Sequence, residues 1–109
     1  MTDDTTISLA ATGDGPALFS LLGAQMSEHG IDLAQDRLES AILGALASPM
    51  TRGAFLVARS GGQAIGVAYL SFIWSVEHGG RSAWLDELYV APAHRDRGIG
   101  RRLLHAAQD

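Results

Sequence analysis

Residues 84–104 read Trp84-Leu-Asp-Glu-Leu-Tyr-Val90, Ala91-Pro-Ala-His94, Arg95-Asp-Arg-Gly-Ile-Gly100 and Arg101-Arg-Leu-Leu104. The first run suits a strand, Pro92 stops it, and Arg101 to Ala107 has the spacing of a helix. A strand feeding a glycine-rich turn that opens a helix is built to hold a phosphate. The glycines let backbone amides approach an anion closely and tolerate positive φ, while the unpaired N–H groups and dipole of the new helix supply partial positive charge.

Working outward, residues 64–74 form a long β-like run, preceded by Phe55-Leu-Val-Ala-Arg59 and a Ser60-Gly-Gly62 turn, which together predict a hairpin. A second turn around His78-Gly-Gly80 leads into the strand before the loop. Near the start, Thr5-Thr-Ile-Ser-Leu-Ala10 alternates as a short strand does. Asp14 is placed to cap a first helix, Pro16 fits its first turn, and Leu18, Leu21, Leu22 and Met26 recur at helical spacing up to a stop near Gly30. A second helix is expected from about 34 to 47, with Leu38, Ala41, Ile42, Ala45 and Leu46 on one face and Pro49 ending the pattern. The order is β-α-α-β-β-β-α, an α/β chain of the α+β kind with a mixed sheet.

One domain is the natural count for 109 residues. No apolar run reaches the roughly 20 residues of a membrane span, and Asp3 and Asp4 interrupt what a secretory leader would need. A soluble, cytoplasmic protein without membrane association is expected. The chain contains no cysteine, so disulfides and thiolate chemistry are excluded. It also contains no lysine, which removes the Walker-type nucleotide loop and the pyridoxal Schiff base. Residues 1–51 carry seven carboxylates against Arg37, whereas Arg95, Arg97, Arg101 and Arg102 cluster at the glycine loop. With a net charge of −4, nucleic acid is not an expected partner. His29, His78, His94 and His105 lack paired ligand spacing, so no metal is assigned. Tyr69, Phe72 and Trp74 are expected to pack rather than contact substrate.

The spacing Arg95-x-x-Gly98-x-Gly100, preceded by Leu88-Tyr-Val-Ala-Pro92 and followed by Arg-Arg-Leu-Leu, resembles the acetyl-coenzyme A signature of the GNAT N-acetyltransferases. The element order resembles the first part of their acyl-CoA N-acyltransferase fold. The resemblance implies that backbone groups of Leu88, Tyr89 and Val90 pair with the pantetheine arm. It also implies that the amides of Arg95, Asp96, Arg97, Gly98, Ile99, Gly100 and Arg101 hold the pyrophosphate of acetyl-coenzyme A as cosubstrate. Arg97, Arg101 and Arg102 either add charge near phosphate or point to solvent.

Residues 84–92 are further similar to the diamine acetyltransferase branch, where an acidic pair in this strand binds a cationic acceptor and accepts its proton. That implies catalytic roles for Asp86, which aligns with the first acid, and Glu87. Adjacent strand residues face opposite sides, so only one reaches the acceptor unless a bulge re-aims them. The family's first helices line the acceptor pocket, which offers Glu28 a place there.

The chain departs from the family by stopping at Asp109, so residues 1–109 are expected to be a single, partial N-acetyltransferase domain. A fifth strand and the tyrosine that protonates the leaving thiolate would lie beyond it, and neither Tyr69 nor Tyr89 matches that acid by position. The exposed strand edge calls for a homodimer or a completing partner chain. Three readings stay open: an N-acetyltransferase acting on a primary amine of a small, cationic acceptor, a noncatalytic acyl-coenzyme A binding or interaction module, and an unrelated phosphate binder.

Overall fold

The structure, a computed structural model, describes residues 5–47, 53–77 and 79–108. Asp3, Asp4, Pro49 and His78, which entered the sequence argument, lie outside the described residues. The elements are β1 (Thr6–Leu9), α1 (Gly15–Glu28), α2 (Gln35–Ala47), β2 (Gly53–Ser60), β3 (Gln63–Ser75), β4 (Gly80–Val90) and α3 (Ile99–Gln108), with short 3-10 turns at Thr12–Asp14 and Pro92–His94. This is the expected β-α-α-β-β-β-α order. The strands form one sheet, ordered β1-β2-β3-β4, and every pairing is antiparallel.

Helices cover both faces of the sheet. On one side Leu18, Leu21 and Leu22 of α1 and Leu38, Ile42 and Leu46 of α2 meet Phe55, Val57, Val67 and Tyr89. On the other, Ile99 and Leu103 of α3 meet Leu56, Ala58, Ile65 and Ala68. Leu56 and Val57 therefore go to opposite cores, as strand alternation requires. Ile99 and Leu103 are fully buried, and each contributes about 1.5–3 kcal/mol by leaving water. Those two side chains fix α3, and with it the end of the glycine loop, against the sheet. Gly66 permits the approach: a Cβ there would stand 3.2 Å from Leu103 Cδ1 and 3.2 Å from the Tyr89 carbonyl oxygen.

Three local features correct or refine the sequence reading. Asp14 precedes α1 but makes no side-chain cap to it; its Oδ2 accepts the Ala11 N–H at 2.7 Å, and its Oδ1 pairs with Arg59 on β2. The carboxylate thus ties the turn after β1 to the sheet instead of satisfying the helix amides. Along β4, Tyr69 pairs with Glu87 and Leu70 with Leu85, so Asp86 is the extra residue of a β-bulge. Finally, Trp74 is 80% exposed near the end of the β3–β4 hairpin, although Tyr69 packs against Phe55 with tilted rings and Phe72 lies under the Arg81 guanidinium.

Candidate functional site

The carboxyl end of β4, the glycine loop and the first turn of α3 converge with the end of α1 around a cleft of about 480 Å³. Leu88, Tyr89 and Val90 line it from the strand, and Arg95, Asp96, Gly98, Ile99 and Gly100 from the loop and helix start. Eight of the ten residues expected to hold the cosubstrate are brought together. Arg97 and Arg101 are exposed and do not line the cleft; Arg97 Nη1 donates to His94 Nδ1 at 2.9 Å. Arg102 Nη2 donates to the Thr5 carbonyl at 2.8 Å, which anchors α3 to the chain before β1.

The loop's shape follows from its sequence. Gly98 has φ of 76°, a conformation in which a side chain would clash with the backbone, and Asp96 adopts the left-handed region as well, with φ of 64°. The bond from the Arg102 N–H to the Gly98 carbonyl, at 3.0 Å, opens the α3 ladder. The amides before Arg102 accordingly lie outside that ladder, at the positive end of the helix, and Gly98, Ile99 and Gly100 among them line the cleft. Such a donor cluster suits a diphosphate.

Arg95 spans the cleft mouth. Its Nε donates to the Val90 carbonyl at 2.9 Å, and its Nη2 donates to Glu28 at the end of α1. The guanidinium carbon also lies 5.3 Å from the centre of the Tyr89 ring. Tyr89 completes the group by donating its hydroxyl to Glu28 Oε2. The Tyr89 and Arg95 hydrogen bonds hold the Glu28 carboxyl below the usual glutamate range. The same carboxylate pushes the Tyr89 phenol and the Arg95 guanidinium upward. At neutral pH the three are an anion, a neutral phenol and a cation.

The acidic pair is divided by the bulge. Asp86 is exposed, while Glu87 is half-buried and lines a smaller space of about 150 Å³ with Leu22, Met26, Leu38, Phe55 and Tyr69. Among the described residues no group of three or more potential metal ligands converges, and no helix is long and apolar enough to cross a membrane.

The sequence reading missed Gln25, His29 and His94 on the cleft wall. Gln25 carried a readable signal, because it continues the inward stripe of Leu18, Leu21 and Leu22 as a polar residue. Glu28 was expected on the acceptor side; its carboxylate pairs with Arg95 at the start of the glycine loop.

The Acetyltransferase (GNAT) family model matches residues 16–109. No curated protein matches the chain. Among solved structures, a possible acetyltransferase from Clostridium difficile 630 superposes with a TM-score of 0.88 at 20% identity, covering 95% of this chain and 68% of that one. A predicted acetyltransferase from Clostridium acetobutylicum, solved with acetyl-CoA, gives 0.76 at 23% identity, covering 95% and 73%. The aminoglycoside N-acetyltransferase AAC(6')-Iy, in complex with CoA, gives 0.79 at 22% identity, covering 99% and 69%. These likenesses are of fold. The chain spans about two thirds of the length of the Clostridium difficile and AAC(6')-Iy structures.

Proposed function

The chain belongs to the Acetyltransferase (GNAT) family, and on that premise we propose that it transfers the acetyl group of acetyl-coenzyme A to a primary amine of a small, cationic acceptor. The observation that carries the proposal is the convergence of Leu88 to Val90 with the amides at Gly98 to Gly100 on one cleft. In this reading the helix-start amides hold the diphosphate, and the β4 backbone pairs with the pantetheine arm. The solved neighbours that hold acetyl-CoA and CoA support the choice of cosubstrate.

The amine nitrogen attacks the thioester carbonyl carbon, a C–N bond forms, and the C–S bond breaks as the carbonyl reforms. One proton leaves the nitrogen and one joins the departing sulfur, so the products are an acetamide and free coenzyme A. Asp86 and Glu87 are the proposed amine-handling residues: Asp86, displaced to the surface by the bulge, meets the incoming cation, and either carboxylate takes its proton. The acidic first half of the chain supports a cationic acceptor, and the aminoglycoside-modifying neighbour is consistent with that chemistry.

A noncatalytic acyl-coenzyme A binding module is the alternative: neither Tyr69 nor Tyr89 matches the family's thiolate acid by position, and the Tyr89 hydroxyl on the cleft is already donated to Glu28. Incubating the chain with acetyl-coenzyme A and a panel of polyamines, aminoglycosides and peptide amines distinguishes the two. Amine-dependent release of free thiol with an acetylated product supports the transferase. Coenzyme binding without product supports the module.

A further inference from the structure

Gln25 is 5% exposed, and its Oε1 has no hydrogen-bond partner, although the residue lines the same cleft as Tyr89 and Val90. A carboxamide oxygen buried without a donor is rare in a folded protein, because it has lost its water without replacement. At this position of α1 the neighbouring inward residues are leucines, and a leucine or methionine would fill the same space with no orphaned atom. The polar group therefore destabilises the free protein, and a donor arriving with a ligand would remove that penalty.

The chemistry of the missing donor follows from the surroundings. The oxygen can only accept, so diphosphate, which offers acceptors alone, cannot satisfy it. Pantetheine carries two secondary amides, each with an N–H, and in the proposed function that arm lies against Leu88 to Val90 on the same cleft. The last torsion of glutamine is broad, so a modest rotation of the carboxamide can present the oxygen to the cleft. Having already lost its hydration, the oxygen gives up no water bond when the donor arrives.

We infer that Gln25 is a specificity-determining residue for the pantetheine arm, its carboxamide oxygen accepting one of the arm's amide N–H groups. This rests on the acetyl-coenzyme A reading of the cleft. It adds to the β4 backbone a side-chain contact from α1, so that the arm is recognised from two sides. ADP, which has the diphosphate without the arm, should be indifferent to Gln25.

The test compares wild type with Gln25→Met and Gln25→Leu, measuring thermal unfolding and calorimetric affinity for coenzyme A and for ADP. Both variants are expected to melt no lower than wild type and to bind coenzyme A about three- to tenfold more weakly, the effect of one hydrogen bond, with ADP affinity unchanged. Equal coenzyme A affinity in wild type and variants would overturn the inference while leaving the cosubstrate reading intact. Parallel losses for coenzyme A and ADP would also overturn it, as would a fall in melting temperature or failure to fold, since the carboxamide would then be a structural anchor. If wild type itself does not bind coenzyme A, the cosubstrate reading fails, and this inference with it.

Discussion

One guanidinium nitrogen of Arg95 donates to both carboxylate oxygens of Glu28, at 2.9 and 3.0 Å. The first residue of the glycine loop is therefore held by the end of α1 across the mouth of the cleft, with its Nε on the Val90 carbonyl. An anion beside a phosphate site opposes phosphate unless it is neutralised, and Arg95 neutralises it. In the proposed function, incoming diphosphate competes with Glu28 for the same cation. Glu28→Gln removes the competing charge at nearly constant size, and coenzyme A affinity is expected to rise about two- to fivefold, the scale of a partly exposed ion pair. Calorimetry at low and high salt checks this; a weaker binder would show that the carboxylate instead holds Arg95 in its productive position.

Acid stability reports on Asp14. Its hydrogen bonds with Arg59 and Ala11 hold the carboxyl below the usual aspartate range. The folded state thus favours the ionised form: the stabilisation is fully present above the ordinary carboxylate value and is lost as pH falls through the lowered one. Asp14→Asn is expected to unfold about 1 kcal/mol more easily at pH 7. Thermal melts of the two proteins should converge on acidification. A difference that persists undiminished in acid would contradict the charge-based account of this contact.

Gly98 and Gly100 make opposite predictions despite their shared place in the motif. Gly98 holds φ of 76°, so Gly98→Ala should cost about 1–2 kcal/mol and weaken coenzyme A binding by disturbing the amides before α3. A Cβ at Gly100 would have Val90 Cγ2 at 3.8 Å, an ordinary contact, so Gly100→Ala should leave folding close to wild type. Thermal melts of the two variants test the distinction, and equal losses of stability would remove the conformational explanation.

The acidic pair is tested by separate neutral substitutions once an acceptor is in hand. Replacing the proton acceptor is expected to lower kcat/KM about 10²- to 10⁴-fold and to abolish its limb of the pH–rate profile. Replacing the other acid should chiefly raise the acceptor KM. If Asp86→Asn and Glu87→Gln both leave turnover and its pH profile unchanged, neither carboxylate handles the amine.

Local patterns made most of the architecture legible. The spacing of Leu18, Leu21 and Leu22 gave α1, the Ser60-Gly61-Gly62 turn gave the β2–β3 hairpin, and the glycine loop gave the start of α3. Gly66 carried no such mark, because its role depends on Leu103 arriving from a helix more than thirty residues later. The same holds for the site. Leu88 to Val90 lie close to the loop in sequence and line the cleft with it, whereas Gln25 and Glu28 reach it through the packing of α1 across the sheet. The bulge at Asp86 shows the limit of strand periodicity: alternation alone assigns each acid a side, but the paired register decides where one residue drops out of step.

The central claim is that the cleft beside Gly98 to Gly100 binds acetyl-coenzyme A, and calorimetric titration of acetyl-coenzyme A into the wild-type chain and Gly98→Ala tests it most directly. The account predicts saturable one-to-one binding to the wild type, in the micromolar to millimolar range usual for enzyme substrates, markedly weakened in Gly98→Ala. No binding by the folded wild-type chain, or equal binding by both proteins, would contradict it.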